Sequence, residues 1–578
     1  MSRTTVPPEW RTHAELTDYR ETPNYTDTVA FARRLAHASS VIEFEIFGQS
    51  GQGRDLPLLI ASESHTFTPE EAHAQGKAIV LIQACIHSGE PDGKDAGFAL
   101  LRDIAITQTV TGILDSVVLL FMPLYNADGH ERSSPYNRIN QHGPAEVGWR
   151  TTATYQNLNR DYMKADTPET RAWLRLWNQW QPDLFIDCHV TDGADYRSVI
   201  TYHHEHHTGV DEAVVAWERD VFGGKVAPAT AAAGNEISWY LEFIDNRDLT
   251  LGTRDFNGSP RFSTGYVPVR NRPGILIETH MLKDYRSRVI GTYDFLRAAL
   301  EEVNRDAERL RKVGRDADER TVVAGSSFDP DRMFPLDFEL TDETTPFELK
   351  AFQYETEESE VSGETRVIYG REPLDLTIPM YDTFRVTKAV APPLAYIVPA
   401  QWTNVIDVLH AHGLEIHFLA EAAAIEVEVY RFTNVSWPEG PFEGRHMPRF
   451  DVERSIERME FPAGSVVVPL AQASGKVILN LLEPEAPDSL ARWGFFNAIF
   501  EEKEYAEHYI LESLAREMMA NDPALRDEFQ ERLAADPDFA ASASERLRFF
   551  YKKSPYWDPQ MNLYPVGRII RVIDLPLT

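Results

Sequence analysis

Four polar residues close four apolar runs in the first half of this 578-residue chain: His87 ends KAIVLIQACIH (77–87), Asn126 ends the apolar part of DSVVLLFMPLYNADG (115–129), His189 ends PDLFIDCH (182–189), and Glu278 stands in PGILIETH (273–280). His87 opens the tetrad His87-Ser-Gly-Glu90. A histidine and a carboxylate three apart on a strand-to-helix turn lean over one edge and can take two positions around a single metal ion. His189, 99 residues beyond Glu90, can supply the third. Two histidines and a carboxylate with one position open to water form the donor set of a catalytic zinc, so His87, Glu90 and His189 are the expected ligands of one Zn2+ per chain. HxxE alone is a weak signal, and the strand-end His189 is what strengthens it. Attack of water on an amide also needs a group that takes the proton and returns it to the leaving amine. Glu278 is placed for that role, against the plainer reading of an ion pair with Arg270 or Arg272. The segment GWRTTATYQNLNRDY (148–162) adds Arg150, Asn159 and Arg160. Arginine matches a carboxylate in a bidentate geometry, which suits an enzyme that grips a chain end.

These residues need a scaffold that delivers them to one edge. Runs apolar on both faces suit central strands of a parallel sheet covered by helices. Segments of helical spacing, KDAGFALLRDI (94–104) and ETRAWLRLWNQW (169–180), alternate with them. The expected fold is therefore α/β, with a mixed, mostly parallel sheet and helices on both faces, whose ligands bind beyond the carboxyl ends of the strands. An amphipathic helix over about 285–313 should close this unit, and the polar GRDADERT (314–321) reads as a linker. Beyond it, GETRVIYG, TFRVTKAV, AIEVEVYRF, GSVVVPL and KVILNLL read as strands, and EYAEHYILESLAREMM (504–519) and PALRDEFQERLA (523–534) as helices. The expected division is a catalytic domain over 1–317, a β-rich accessory domain over 318–485 and a largely helical region over 486–578. The last two parts carry no catalytic constellation and should serve packing, gating or assembly.

With 57 basic and 90 acidic side chains the formal charge is −33, which repels phosphate backbones and anionic lipid. Neither nucleic acid nor membrane is an expected partner, and no run approaches the roughly 20 apolar residues of a membrane helix. The amino terminus lacks the apolar centre of a secretory signal, so the chain as it stands reads as cytoplasmic, or as periplasmic or secreted if a signal has been removed. The two cysteines, Cys85 and Cys188, read as buried thiols. HHEHH (203–207) reads as local structure, because adjacent histidines do not share a face. Arg247, Arg254, Arg261, Arg270 and Arg272 crowd the stretch before Glu278. They either reach a substrate pocket and favour an acidic terminal side chain, or neutralise surrounding carboxylates.

The ordered set HSGE, NADG (126–129), WRTT (149–152), NLNRDY (157–162), DCH (187–189) and ILIETH resembles the zinc metallocarboxypeptidase family of the carboxypeptidase A type, over about residues 20–310. The resemblance implies zinc on His87, Glu90 and His189, Arg150 polarising the scissile carbonyl, Asn159 and Arg160 holding the terminal carboxylate, and Glu278 as general base. Arg138 is a rival to Arg150. Three positions depart from the family pattern. Asn157 stands where an aspartate commonly orients the first zinc histidine, Val190-Thr191 replaces Ser-Tyr, and the tyrosine that closes over substrate is missing from its usual place, which leaves Tyr266 as the substitute. The function implied is hydrolysis of the C-terminal peptide bond. An amidase or deacylase of N-acyl amino acids or cell-wall peptides is the alternative, and a binding protein that has lost catalysis a remote one. The partner expected in each case is a peptide or acyl-amino-acid with a free carboxylate.

Overall fold

The structure, a computed structural model, describes residues 6–578. All four apolar runs form strands of one eight-stranded sheet. Its strands are β1 (Ile42–Gln49), β2 (Asp55–Ala61), β3 (Ala78–Ala84), β4 (Val117–Met122), β5 (Leu184–Thr191), β6 (Ile200–His203), β7 (Ile237–Trp239) and β10 (Gly274–His280). The spatial order is β1-β2-β4-β3-β5-β10-β6-β7. The four central strands β4, β3, β5 and β10 run parallel, while β2 and β6 join them antiparallel.

Every residue of β3 and β4 is buried, and the two-residue period of a strand shows what buries them. Ile79 and Leu81 share a core with Trp173 and Trp177 of the helix Pro168–Trp180. Val80 and Ile82 point the other way, into a core with Phe98 and Leu101 of the helix Asp92–Ala105 and Phe295 and Leu296 of the helix Tyr285–Gly325. Helices thus cover both faces, as the unbroken apolar runs require. The helix Pro168–Trp180 begins where it does because the Thr167 side chain accepts from Thr170 N and Pro168 has no N–H to leave unpaired. It stops at Gln181, which adopts a left-handed conformation with φ 45°.

Two expectations fail. The stretch 314–321 is not a linker, because the helix begun at Tyr285 continues to Gly325 with a local irregularity at Asp306. Its Leu310, Ala317 and Thr321 are buried at helical spacing, a pattern masked by the charged residues on the outer face. KVILNLL is not a strand but lies in the helix Gly475–Leu482, buried at nearly every position. A short apolar run with no polar face carries no period, so strand and helix look alike in it.

The other runs do form strands. Residues 365–381 pair with 345–358 and, at their far end, with the short β9 (Thr253–Arg254), which in turn pairs with β8 (Glu242–Phe243). A six-stranded sheet includes Ala423–Ser436, Arg449–Phe461 and the late strand Gly567–Ile569. Between them, helices His508–Asn521, Pro523–Ala535 and Ala543–Lys552 pack around Phe529, Phe539, Phe549 and Phe550. The fold is α/β, with a β-rich region and a mostly helical segment following.

Candidate metal centre and substrate cleft

β3 ends at Ala84, and Cys85 then turns the chain with φ 57° so that His87 and Glu90 reach over the strand ends before the helix at Asp92 begins. On the two neighbouring strands, β5 and β10 pair in a register that sets His189 directly against Glu278. One donor atom from each of His87, Glu90 and His189 lies within 4.8 Å of the others. His87 Nδ1 is 3.1 Å from Glu90 Oε1, and His189 Nδ1 is 3.1 Å from Glu90 Oε2. The outer ring nitrogens are fixed by other partners. His87 Nε2 meets Asn157 Oδ1 at 3.1 Å, and His189 Nε2 meets Asp187 Oδ2 at 2.9 Å.

The donor set fits zinc. His87 Nδ1 is buried and makes no hydrogen bond among the described residues, which is the state of a nitrogen awaiting an ion. Tetrahedral donors at zinc bond lengths of about 2.0–2.1 Å stand roughly 3.4 Å apart, close to the spacing found. Burial lowers the His87 pKa to about 4, against the pull of Glu90, so its ring is neutral and able to ligate. At Glu90 burial works to raise the pKa, but His87 and Arg138 outweigh it and hold the carboxyl well below its ordinary range. At His189 burial works to lower the pKa, but Asp187 and Glu90 raise it well above the usual value. A field that favours a proton on His189 also favours a cation between the donors.

Asn157 stands in the place where the resembled family carries aspartate, and its amide oxygen does accept from the first histidine. The same oxygen also accepts from Asn159 N at 2.9 Å. Asp187 is a site residue that sequence reasoning left without a role. It also accepts from Ser263 Oγ and Gln83 Nε2, so the charged orienting carboxylate sits on the second histidine rather than the first. Its position two residues before His189 on one strand face was the signal that could have found it.

His87, Glu90, Arg150, Asn159, Arg160, His189 and Glu278 all line one cleft of about 470 Å³. Glu278 Oε2 has no hydrogen-bond partner among the described residues, and burial pushes this carboxyl up to about 8, with His189 opposing. Asn159 accepts from Ser263 N through Oδ1 at 2.8 Å, and its Nδ2 is a free donor among the described residues. Arg160 lies over the Phe262 ring at 4.0 Å and forms no ion pair with a carboxylate among the described residues. Arg138 also lines the cleft but is already engaged, with Nη1 2.8 Å from Glu90 Oε1 and Nη2 donating to Val190 O at 3.2 Å. Arg150 is looser, 3.6 Å from the same carboxylate and 43% exposed. Asn126 is an organiser rather than a cleft residue. It caps Gly129 N and donates to Arg150 O, tying the β4 turn to the arginine loop.

Tyr266 is not in the cleft. Its ring is fully buried beside Trp173 and Tyr162, with the hydroxyl 2.8 Å from His412 Nδ1. It follows Phe262 by one helical turn on a helix that packs into the core. The tyrosines that line the cleft are Tyr136 and Tyr240, neither of which any sequence spacing singled out. None of the five arginines before Glu278 lines the cleft either. Arg247, Arg261 and Arg272 pair with Asp245, Asp488 and Asp318, Arg270 donates to Asn178 and His412 O, and Arg254 lies opposite Glu242 across two short strands. Cys85 and Cys188 are buried free thiols.

Residues 28–217 match the family model described as zinc carboxypeptidase. The chain resembles named carboxypeptidases over a longer stretch. It is 24% identical over 483 residues to carboxypeptidase 2 of Trichophyton rubrum, covering 80% of this chain and 82% of that protein. It is likewise 24% identical over 478 residues to carboxypeptidase 2 of Trichophyton tonsurans, with the same coverage. A metallo-carboxypeptidase structure from Pseudomonas aeruginosa aligns with 17% identity and a TM-score of 0.36, over 50% of this chain and 70% of that one.

Proposed function

We propose that this protein is a zinc-dependent carboxypeptidase that hydrolyses the C-terminal peptide bond, with His87, Glu90 and His189 as metal ligands and Glu278 as general base. The observation that carries the reading is one cleft lined by the histidine–carboxylate centre, by Glu278, by Asn159 with Nδ2 free among the described residues, and by Arg160, whose guanidinium donates to Asn159 O but pairs with no carboxylate among the described residues. His87, Glu90 and His189 would hold a zinc ion, and that ion would supply Lewis acidity toward the scissile carbonyl and a bound water. Asn159 and Arg160 hold the terminal carboxylate, which sets the last peptide bond against Glu278. Glu278 takes the proton of the attacking water and passes it to the leaving amine. Arg150, the looser of the two arginines, donates to the oxyanion, while Arg138 holds Glu90 in place. The regions after the sheet brace this site. Glu443 accepts from Asn157 N at 2.8 Å, Arg445 clasps Asp166 through two bonds, and Asp488 accepts from Arg261 N.

Turnover of one peptide with a free and with an amidated C-terminus, beside an N-acyl amino acid, tests the proposal. Cleavage of the free-acid peptide, lost on amidation, is expected. Cleavage of the acyl amino acid alone makes the protein a deacylase, and no zinc-dependent cleavage of either overturns both.

A further inference from the structure

Behind one wall of the cleft, β6 ends at His203, the first residue of the run His203-His204-Glu205-His206-His207. The chain turns after the strand, so that His203 and His206 come to face the same point while His204 turns to Glu218. Asp255, from the segment after β9, meets the pair. One donor atom from each of His203, His206 and Asp255 lies within 4.8 Å of the others. His203 Nε2 is 3.2 Å from Asp255 Oδ1, and His206 Nε2 is 3.3 Å from Oδ2. These spacings repeat those of the first centre and again suit donors around one tetrahedral ion.

A second observation points the same way. His203 is fully buried and, among the described residues, neither of its ring nitrogens has a hydrogen-bond partner; Asp255 Oδ2 is equally without one. Asp255 Oδ1, by contrast, is satisfied by Trp239 Nε1 at 2.9 Å and Phe256 N at 3.0 Å. Among the described residues, Asp255 has ion pairs with the two histidines and with no lysine or arginine. Buried polar atoms are seldom left without partners, and an ion between the three side chains would satisfy one ring nitrogen of His203 and Asp255 Oδ2 together. His206 Nε2 has one further neighbour, Asp382 O, at the long distance of 3.4 Å.

We propose that His203, His206 and Asp255 bind a second divalent transition-metal ion of the zinc class, separate from the one at His87, Glu90 and His189. Two imidazoles with one carboxylate suit zinc and its neighbours, whereas calcium and magnesium seek oxygen donors. The role is structural. Asp255 precedes Phe256 and Trp239 precedes Tyr240, and both Phe256 and Tyr240 line the substrate cleft. His206 packs against Phe384 of the β-rich region. The ion would fix the cleft wall to the end of β6 and to that region at once.

Metal content of the full chain tests this after chelation, reloading with excess zinc and desalting. Wild type should hold two equivalents, His206→Ala one and His189→Ala one. Asp255→Asn, which keeps the size of the side chain and the oxygen facing Trp239, should also hold one and provides the reading if His206→Ala fails to fold. A single wild-type equivalent that His189→Ala removes and both other variants keep overturns the second site. A single equivalent that only His206→Ala and Asp255→Asn remove supports it, and overturns instead the ligand set of the catalytic centre.

Discussion

Glu278 faces His189 across the β5–β10 register and has an unpartnered carboxylate oxygen, so its chemistry can be removed with little change in packing. Glu278→Gln should keep fold and zinc while turnover falls by about 10²–10⁴-fold; a rate near wild type in a peptide assay would take Glu278 out of the mechanism. The arginines should separate kinetically. Arg150 approaches Glu90 at 3.6 Å and is free to follow charge developing on the substrate, so Arg150→Ala should lower kcat by about 10²–10³-fold. Arg160 rests on Phe262 and pairs with no carboxylate among the described residues, so Arg160→Ala should mainly raise KM and weaken the preference for a free over an amidated terminus. Steady-state kinetics showing one pattern for both variants would refute that division.

At the scale of elements, the site depends on how closely the helix Asp92–Ala105 lies against β5. A Cβ on Gly93 would stand 2.3 Å from Cys188 Cβ and 3.2 Å from Ala84 Cβ, and neither neighbour is a flexible side chain that can swing away. On an exposed helix a glycine-to-alanine change gains about 1 kcal/mol. Here overpacking should reverse the sign, and Gly93→Ala should lose about 1–3 kcal/mol in denaturant unfolding. Because the displaced residue adjoins His189, bound zinc should fall as well. An alanine variant as stable as wild type would show that the helix can retreat from the strand.

At the scale of the molecule, His412 joins the regions on either side of the long helix. It is buried between Tyr266, whose hydroxyl meets Nδ1, and Met163 O, 3.0 Å from Nε2. Burial lowers its pKa to about 3, while the unfolded ring titrates near 6.5. Between those values the unfolded chain takes up a proton that the folded chain refuses. Stability from this group is therefore complete above about pH 6.5 and is lost as pH falls toward 3, by up to about 1.4 kcal/mol per pH unit. Other buried histidines add to the wild-type slope, so the difference between wild type and His412→Gln is the quantity to measure. Unfolding curves with the same pH slope in both proteins would contradict the assignment.

The sequence by itself determined the central sheet, because strands buried on both faces must be apolar throughout and their polar ends can only lie at the edge. It also made His87, Glu90, His189 and Glu278 candidates for one edge, since apolar runs and a turn of fixed spacing carry them there, while the arginine loop was picked out by its likeness to the family pattern. Tertiary structure alone decided what depended on distant parts of the chain. Tyr266 is drawn into the core because its helix packs against Trp173, a contact no local pattern announces. Tyr240 and Glu443 reach the site from segments whose placement depends on sheets formed far along the chain. KVILNLL could be read as strand or helix until its surroundings were known. His203 and His206 converge on Asp255 through a turn and a loop about fifty residues apart, because short-range periodicity records which way neighbouring side chains point and not which remote carboxylate will meet them.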